Sequence, residues 1–256
     1  MADESGVALV RDGSVATVTM TGPALTLTVK AALVDAIAQV GADPDIRAVV
    51  LTGSRRAFSV GQDLHEHAAV LREDASHAFD TVEQHYNPIV LGLATMPKPV
   101  IASINGLCVG AGLGFALACD LRIASAQAKF GTAFTAIGLT YDSGLSVTLA
   151  RAVGAARASE LMFRAETFGA EDALTWGIVG QVVSPEKLAA ETAALAEKLA
   201  HGPTLAYAEA KQAMALPLSQ VLAAEAAGQA RLGVTEDHRN AVEAFVTRQT
   251  PTFQGR

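Results

Sequence analysis

Cysteine is nearly absent. The 256 residues hold two, Cys108 and Cys119, both in apolar surroundings and neither in a CxxC or Cys/His cluster. That argues against a disulfide framework and a zinc site, and makes a reducing cytoplasm the expected compartment. Aromatic residues are also scarce, at 5%. The core must then rest on aliphatic side chains and on alanine, which lets backbones approach closely. No apolar run is long enough to span a bilayer. The opening MADESG is acidic and polar, without the basic start and apolar stretch of a secretory signal. Positive charge is short too: 19 Lys and Arg against 26 Asp and Glu leave a net charge of −7. Neither nucleic acid nor a membrane is expected as a partner.

What is present is a folded, aliphatic chain, 50% hydrophobic and 18% charged. VALVRDGSVATVTM (7–20) reads as two strands around an Asp12-Gly13 turn. Residues 28–40 carry apolar Leu33, Ile37 and Val40 at helical spacing. Short buried-type strands follow at 46–54, 99–107, 120–125 and 128–132, with helical periodicity over 62–96. From Ser143 onward the pattern is helical. SPEKLAAETAALAEKLA (184–200) has a Ser cap, a Pro in the first turn and Leu188, Leu195 and Leu199 on one face, and two or three further helices are expected between Pro203 and Arg248. This order predicts an α/β core over 1–195 and a helical C-terminal region over 196–256.

Two glycine-containing turns are candidates for chemistry. In RRAFSVGQDL (55–64), Gly61 permits a sharp turn that frees the Gln62 amide, although an ordinary strand-to-helix turn is the better explanation of the segment taken alone. In INGLCVGAGLGFALACD (104–120), a strand feeds a helix through glycines. Unpaired N–H groups at a helix start suit an oxyanion or a phosphate, yet tight helix packing also favours glycine there. No GK[ST] follows, and GAGLGF at 110–115 misses the dinucleotide spacing by one residue. The histidines and acids of HEHAAVLREDASH (65–77) suit a solvated helix face, not a metal site, and Trp176 reads as core.

Taken together, AFSVGQDL and GAGLGFALACDLRIAS resemble the paired signature of the enoyl-CoA hydratase/isomerase, or crotonase, superfamily. AKFGTAFTAIGL, LARAVGAARASELMF, EDALTWGIVGQVV and TPTFQGR match in order, so the resemblance spans nearly the whole chain. It implies a spiral of ββα units, a helical C-terminal trimerisation region, and a homotrimer or dimer of trimers. It also implies an acyl-CoA thioester substrate, with no cofactor beyond the coenzyme A of the substrate. By motif position the thioester oxygen is held by the amides of Gln62 and Ala111. Thr26, Ser59, Gly61, Asp63, Leu64, Val109, Gly110, Gly114, Phe134 and Leu139 are expected around the substrate. Lys30, Arg55 and Arg56 are candidates for its phosphates, and Glu83 and His85 for an auxiliary role.

Family hydratases add water with two glutamates. Here those positions hold Gly114 and Phe134, and neither moves a proton. The acid on offer is Asp142. IGLTYDSG (137–144) resembles the IGL-x-x-D-x-G segment of the superfamily's phenylacetate-pathway isomerases and 4-chlorobenzoyl-CoA dehalogenases. The resemblance implies double-bond isomerisation with Asp142 as proton shuttle; a hydratase with an unusual acid/base pair and a non-catalytic acyl-CoA binder are the alternatives. Asp142 also has good chemistry for a helix N-cap, and the two roles are compatible.

Overall fold

A computed structural model describes residues 6–54, 56–214 and 227–256. β1 (Val7–Asp12) and β2 (Val15–Met20) form the expected antiparallel hairpin, registered from Val7 opposite Met20 to Asp12 opposite Val15. α1 (Leu27–Ala42) follows and buries Val29, Leu33, Ala36, Ile37 and Val40 on one face. Its N-terminus is capped by Thr26, whose hydroxyl accepts from the Val29 amide at 3.3 Å. Thr26 is thus a helix cap and does not line the cavity described below.

The chain then winds through two sheets. β3 (Ala48–Gly53), β5 (Val100–Ile104) and β7 (Leu121–Ser125) add in parallel to β2, and β10 (Gln181–Val183) closes the six-stranded sheet in the order β1-β2-β3-β5-β7-β10. A few residues after each of the three central strands, a second short strand leaves for another sheet. These are β4 (Ala57–Ser59), β6 (Leu107–Val109) and β8 (Lys129–Gly131), which pair in parallel, with β9 (Phe168–Gly169) antiparallel at the edge. Helices complete each turn: α2 (Leu64–Asp74) and α3 (Asn87–Thr95), then α4 (Ala111–Ala118), then α5 (Leu145–Val153) and α6 (Ala155–Arg164). This is the ββα spiral that the resemblance implied. The sequence pattern does not reveal β4, β6, β9 and β10, because strands of two or three residues carry no usable alternation.

α7 (Ala170–Thr175), α8 (Leu188–Ala200), α9 (Thr204–Met214) and a helix at Glu236–Thr247 make up the C-terminal part. The segment 184–200 differs from its prediction. A 3₁₀ turn at Pro185–Lys187 precedes the α-helix, and Ser184 makes no side-chain cap. The buried face of α8 is Leu188, Thr192, Ala196 and Ala200, with Leu195 and Leu199 only partly buried beside Val50 and Ile101. Small residues bring this helix close to the sheet, so the boundary expected after residue 195 falls inside a helix packed on the core. Among the described residues no helix is long and apolar enough to cross a membrane.

Candidate active site

The second sheet brings its two glycine turns side by side. Gly61 has φ +82°, and its amide donates to the buried Ser59 hydroxyl at 3.1 Å. A methyl group on Gly61 would sit 3.3 Å from the Val109 carbonyl and 3.7 Å from the Ala111 nitrogen. The strands β4 and β6 therefore place these turns in direct contact. Gln62 is held by a bridge to Leu25 that runs through the Gly61 carbonyl (2.9 Å) and the Asp63 amide (3.3 Å). In such a bridge the flanking groups face the partner strand, so the Gln62 N–H points the other way. Gly110, with φ +59°, precedes α4, and its carbonyl accepts from Leu113 and Gly114. Ala111 is the first residue of α4, where an amide has no partner inside its helix.

Both residues border a cavity of about 140 Å³, lined also by Leu64, His67, Phe79, Tyr86, Phe134, Leu139 and Asp142. Among the described residues, Asp142 is the one carboxylate in this wall. Phe134 is buried and meets Tyr141 edge-on at 5.5 Å, so the position of a family glutamate is an apolar wall.

Gly114 explains how Asp142 arrives. A Cβ at Gly114 would lie 2.5 Å from the Ser143 Cβ and 2.9 Å from its carbonyl oxygen. The segment carrying Asp142 thus rests on the bare backbone of α4, in the space a glutamate side chain at 114 would leave along. Ser143 and Gly144 both take left-handed backbone, with φ +52° and +69°. For Ser143 this costs about 1–2 kcal/mol, strain of the kind stored at functional sites.

Asp142 is not the helix cap that the sequence suggested. α5 begins at Leu145, its N-cap is Gly144, and no side chain caps it. Only the Asp142 backbone carbonyl serves the helix start, accepting from Leu145 N at 3.0 Å. The glycine in YDSG moves the start by two residues, because it turns the chain after the acid and not before it. The carboxylate takes one hydrogen bond, from the Ser143 hydroxyl at 2.7 Å. Burial raises the Asp142 pKa above the usual carboxylate value, and the Ser143 hydrogen bond offsets part of that rise.

The other sequence candidates separate clearly. Gly110, Leu64, Phe134 and Leu139 line the cavity. Ser59 and Val109 do not line it; they pack against the Gly61 turn and shape it. Asp63 caps α2 by accepting from the His65 and Glu66 amides, both at 2.9 Å. Lys30 does not sit where a phosphate contact requires: it is 3% exposed, on the buried face of α1. Arg56 is exposed, and Arg55 lies outside the described residues. Glu83 is exposed, and His85 pairs with Thr81 at 3.2 Å. Sequence reasoning overlooked Tyr86 and assigned His67 to a solvated helix face, whereas both border the cavity. A π-helical turn at Val82–Tyr86 directs Tyr86 inward, and no pattern in the sequence announces that extra residue.

The geometry can be set beside known proteins. A family model described as enoyl-CoA hydratase/isomerase matches residues 11–256. The chain belongs to the enoyl-CoA hydratase/isomerase family. It is 39% identical over 230 residues to the 1,2-epoxyphenylacetyl-CoA isomerase of Escherichia coli, covering 88% of each chain. It is 38% identical over 225 residues to the (E)-benzylidenesuccinyl-CoA hydratase of Thauera aromatica, covering 85% of each. A Mycobacterium abscessus crystal structure described as an enoyl-CoA hydratase/isomerase superposes with a TM-score of 0.93 at 46% identity, over 98% of this chain and 100% of that one. The crotonase fold of this enoyl-CoA hydratase/isomerase family member follows from that likeness. Isomerase and hydratase names both occur among its relatives.

Proposed function

We propose that this family member isomerises an enoyl-CoA double bond, with Asp142 as the proton shuttle and the Gln62 and Ala111 amides as the oxyanion hole. The observation that carries this reading is the cavity itself, in which both amide-bearing residues meet a single carboxylate. The α C–H of a β,γ-unsaturated thioester gives its proton to the Asp142 carboxylate. The electron pair moves into the acyl chain, and negative charge collects on the thioester oxygen as a dienolate. Fixed N–H dipoles meet that charge without reorganising, a contribution of about 3–4 kcal/mol per donor in comparable sites. The Asp142 carboxyl then returns the proton at the γ-carbon, leaving the conjugated α,β-unsaturated product. One carboxyl suffices because a 1,3-proton shift begins and ends with the same base.

The closed space at Gly114 and the apolar Phe134 support a one-acid reaction. The names of the relatives point to aryl-bearing acyl groups. A cavity of about 140 Å³ is close to the roughly 150 Å³ that accommodates a benzene ring in an engineered protein core. A homotrimer is part of the same reading, supported by the exposed apolar side chains Phe163 (76%) and Met214 (83%).

The test is incubation with β,γ- and α,β-enoyl-CoAs, following double-bond position by NMR and water addition by mass. Interconversion without mass gain that is lost in Asp142→Asn supports the shuttle. Gain of one water identifies a hydratase, and binding without conversion a non-catalytic member.

A further inference from the structure

Lys30 is a buried charged residue that the reaction above leaves unused, and it occupies an expensive place. It projects from α1 among Val29, Leu33 and Ile37 and is 3% exposed. A buried ammonium is costly unless its donors are satisfied. Burial lowers its pKa, against the opposing charges of Glu66 and Asp63. Those carboxylates are engaged elsewhere, Glu66 with the Leu27 amide at 2.8 Å and Asp63 with the first turn of α2. The Lys30 Nζ instead lies 3.3 Å from Gln62 Oε1 and 5.7 Å from the centre of the Tyr86 ring. The Tyr86 hydroxyl donates to the same Gln62 oxygen.

We propose that Lys30 is a positioning residue: it grips the Gln62 side chain and so aims the Gln62 amide at the thioester oxygen. This rests on the oxyanion role of Gln62 given above. The Gly61–Gln62 peptide is fixed on one side by the Gly61 carbonyl, which accepts from the Leu25 amide at 2.9 Å, and it can turn about Gly61, which sits at φ +82°. The Leu25 bridge holds the flanking groups on one side. Lys30 and Tyr86 anchor the side chain on the other, reaching it from α1 and from the 82–86 turn. Two donors converge on one neutral oxygen, which a glutamine provides and an apolar side chain does not. The role differs from a phosphate contact, because the ammonium faces inward.

The experiment reads the oxyanion hole directly and needs no turnover. Butyryl-CoA carrying a ¹³C-labelled thioester carbonyl is bound to the enzyme, and its C=O stretch is recorded by difference infrared spectroscopy. Two hydrogen bonds lower that frequency in the wild type relative to free ligand. Lys30→Met should reduce the shift and lower kcat by about tenfold to a hundredfold with KM little changed, a loss consistent with a donor moved by a fraction of an ångström. Gln62→Met, which keeps the backbone amide, should do the same, and the double variant should be no worse than Gln62→Met alone. An undiminished shift in Lys30→Met, or additive losses in the double variant, overturns the proposal. If Lys30→Met does not fold, Gln62→Met decides in its place, since an undiminished shift there overturns the proposal equally. A wild type without any shift overturns the oxyanion assignment and this proposal together. Because butyryl-CoA has no double bond to move, the infrared outcomes do not depend on Asp142.

Discussion

The contact between Gly114 and Ser143 yields a prediction that separates catalysis from stability. Gly114→Ala adds one methyl group, placed 2.5 Å from the Ser143 Cβ and 2.9 Å from its carbonyl oxygen. Carbon atoms pack at about 3.5–4.0 Å, so the 142–144 segment must retreat by about 1 Å. Overpacking of this kind costs about 1–3 kcal/mol, and replacing glycine by alanine inside a helix returns about 1 kcal/mol. The net destabilisation is then about 0–2 kcal/mol, a Tm lowered by at most about 8 °C in a chain of this size. Activity should suffer far more. A 1 Å misplacement of a reacting group costs about a hundredfold, and the group displaced is the Asp142 carboxylate. The assay is isomerisation kinetics beside thermal unfolding, repeated in an Asp142→Asn background. There Gly114→Ala should cause no further loss, since the displaced group no longer works. Full activity in Gly114→Ala, with Tm little changed, would refute the view that α4 sets the position of Asp142.

Asp142→Asn should lower kcat by about 10²–10⁴-fold while acyl-CoA affinity, measured by calorimetry, stays within a few-fold. It should also raise Tm at neutral pH. The folded pKa of Asp142 is raised by burial, so ionisation opposes folding above that pKa and the amide removes the penalty. Activity should fall as pH drops through this raised pKa, because the base must be ionised, and the acid limb of kcat/KM should lie above the ordinary carboxylate range and vanish in the variant. Gly61→Ala forces an L-residue to φ +82° against the Val109 carbonyl, costing about 1–2 kcal/mol and abolishing the carbonyl shift described above; retention of that shift would contradict the geometry of the Gln62 turn. Phe134→Ala empties a buried wall and should cost about 3–5 kcal/mol in chemical denaturation.

Most of the architecture was legible in local patterns. The hairpin at 7–20, the helix bearing Leu33 and Ile37, and the order of the longer strands follow from periodicity and turn residues, which act over a few positions. The paired glycine motifs carried the family, and the glycine and phenylalanine at 114 and 134 excluded a two-glutamate site without any coordinates. The tertiary structure decided what those residues touch. Asp142, already the acid on offer in the sequence, lost its expected cap role because Ser143 and Gly144 bend the chain before α5, with Ser143 packed against Gly114. Lys30 turned from a phosphate candidate into a buried partner of Gln62 because α1 rolls that position inward, across 32 residues of sequence. Sequence by itself determined which acids and which turns exist in this protein. How Asp142 is held at the cavity, and that Lys30 meets Gln62, depends on contacts between segments far apart in the chain, which only close packing of α1, α4 and the two sheets brings together.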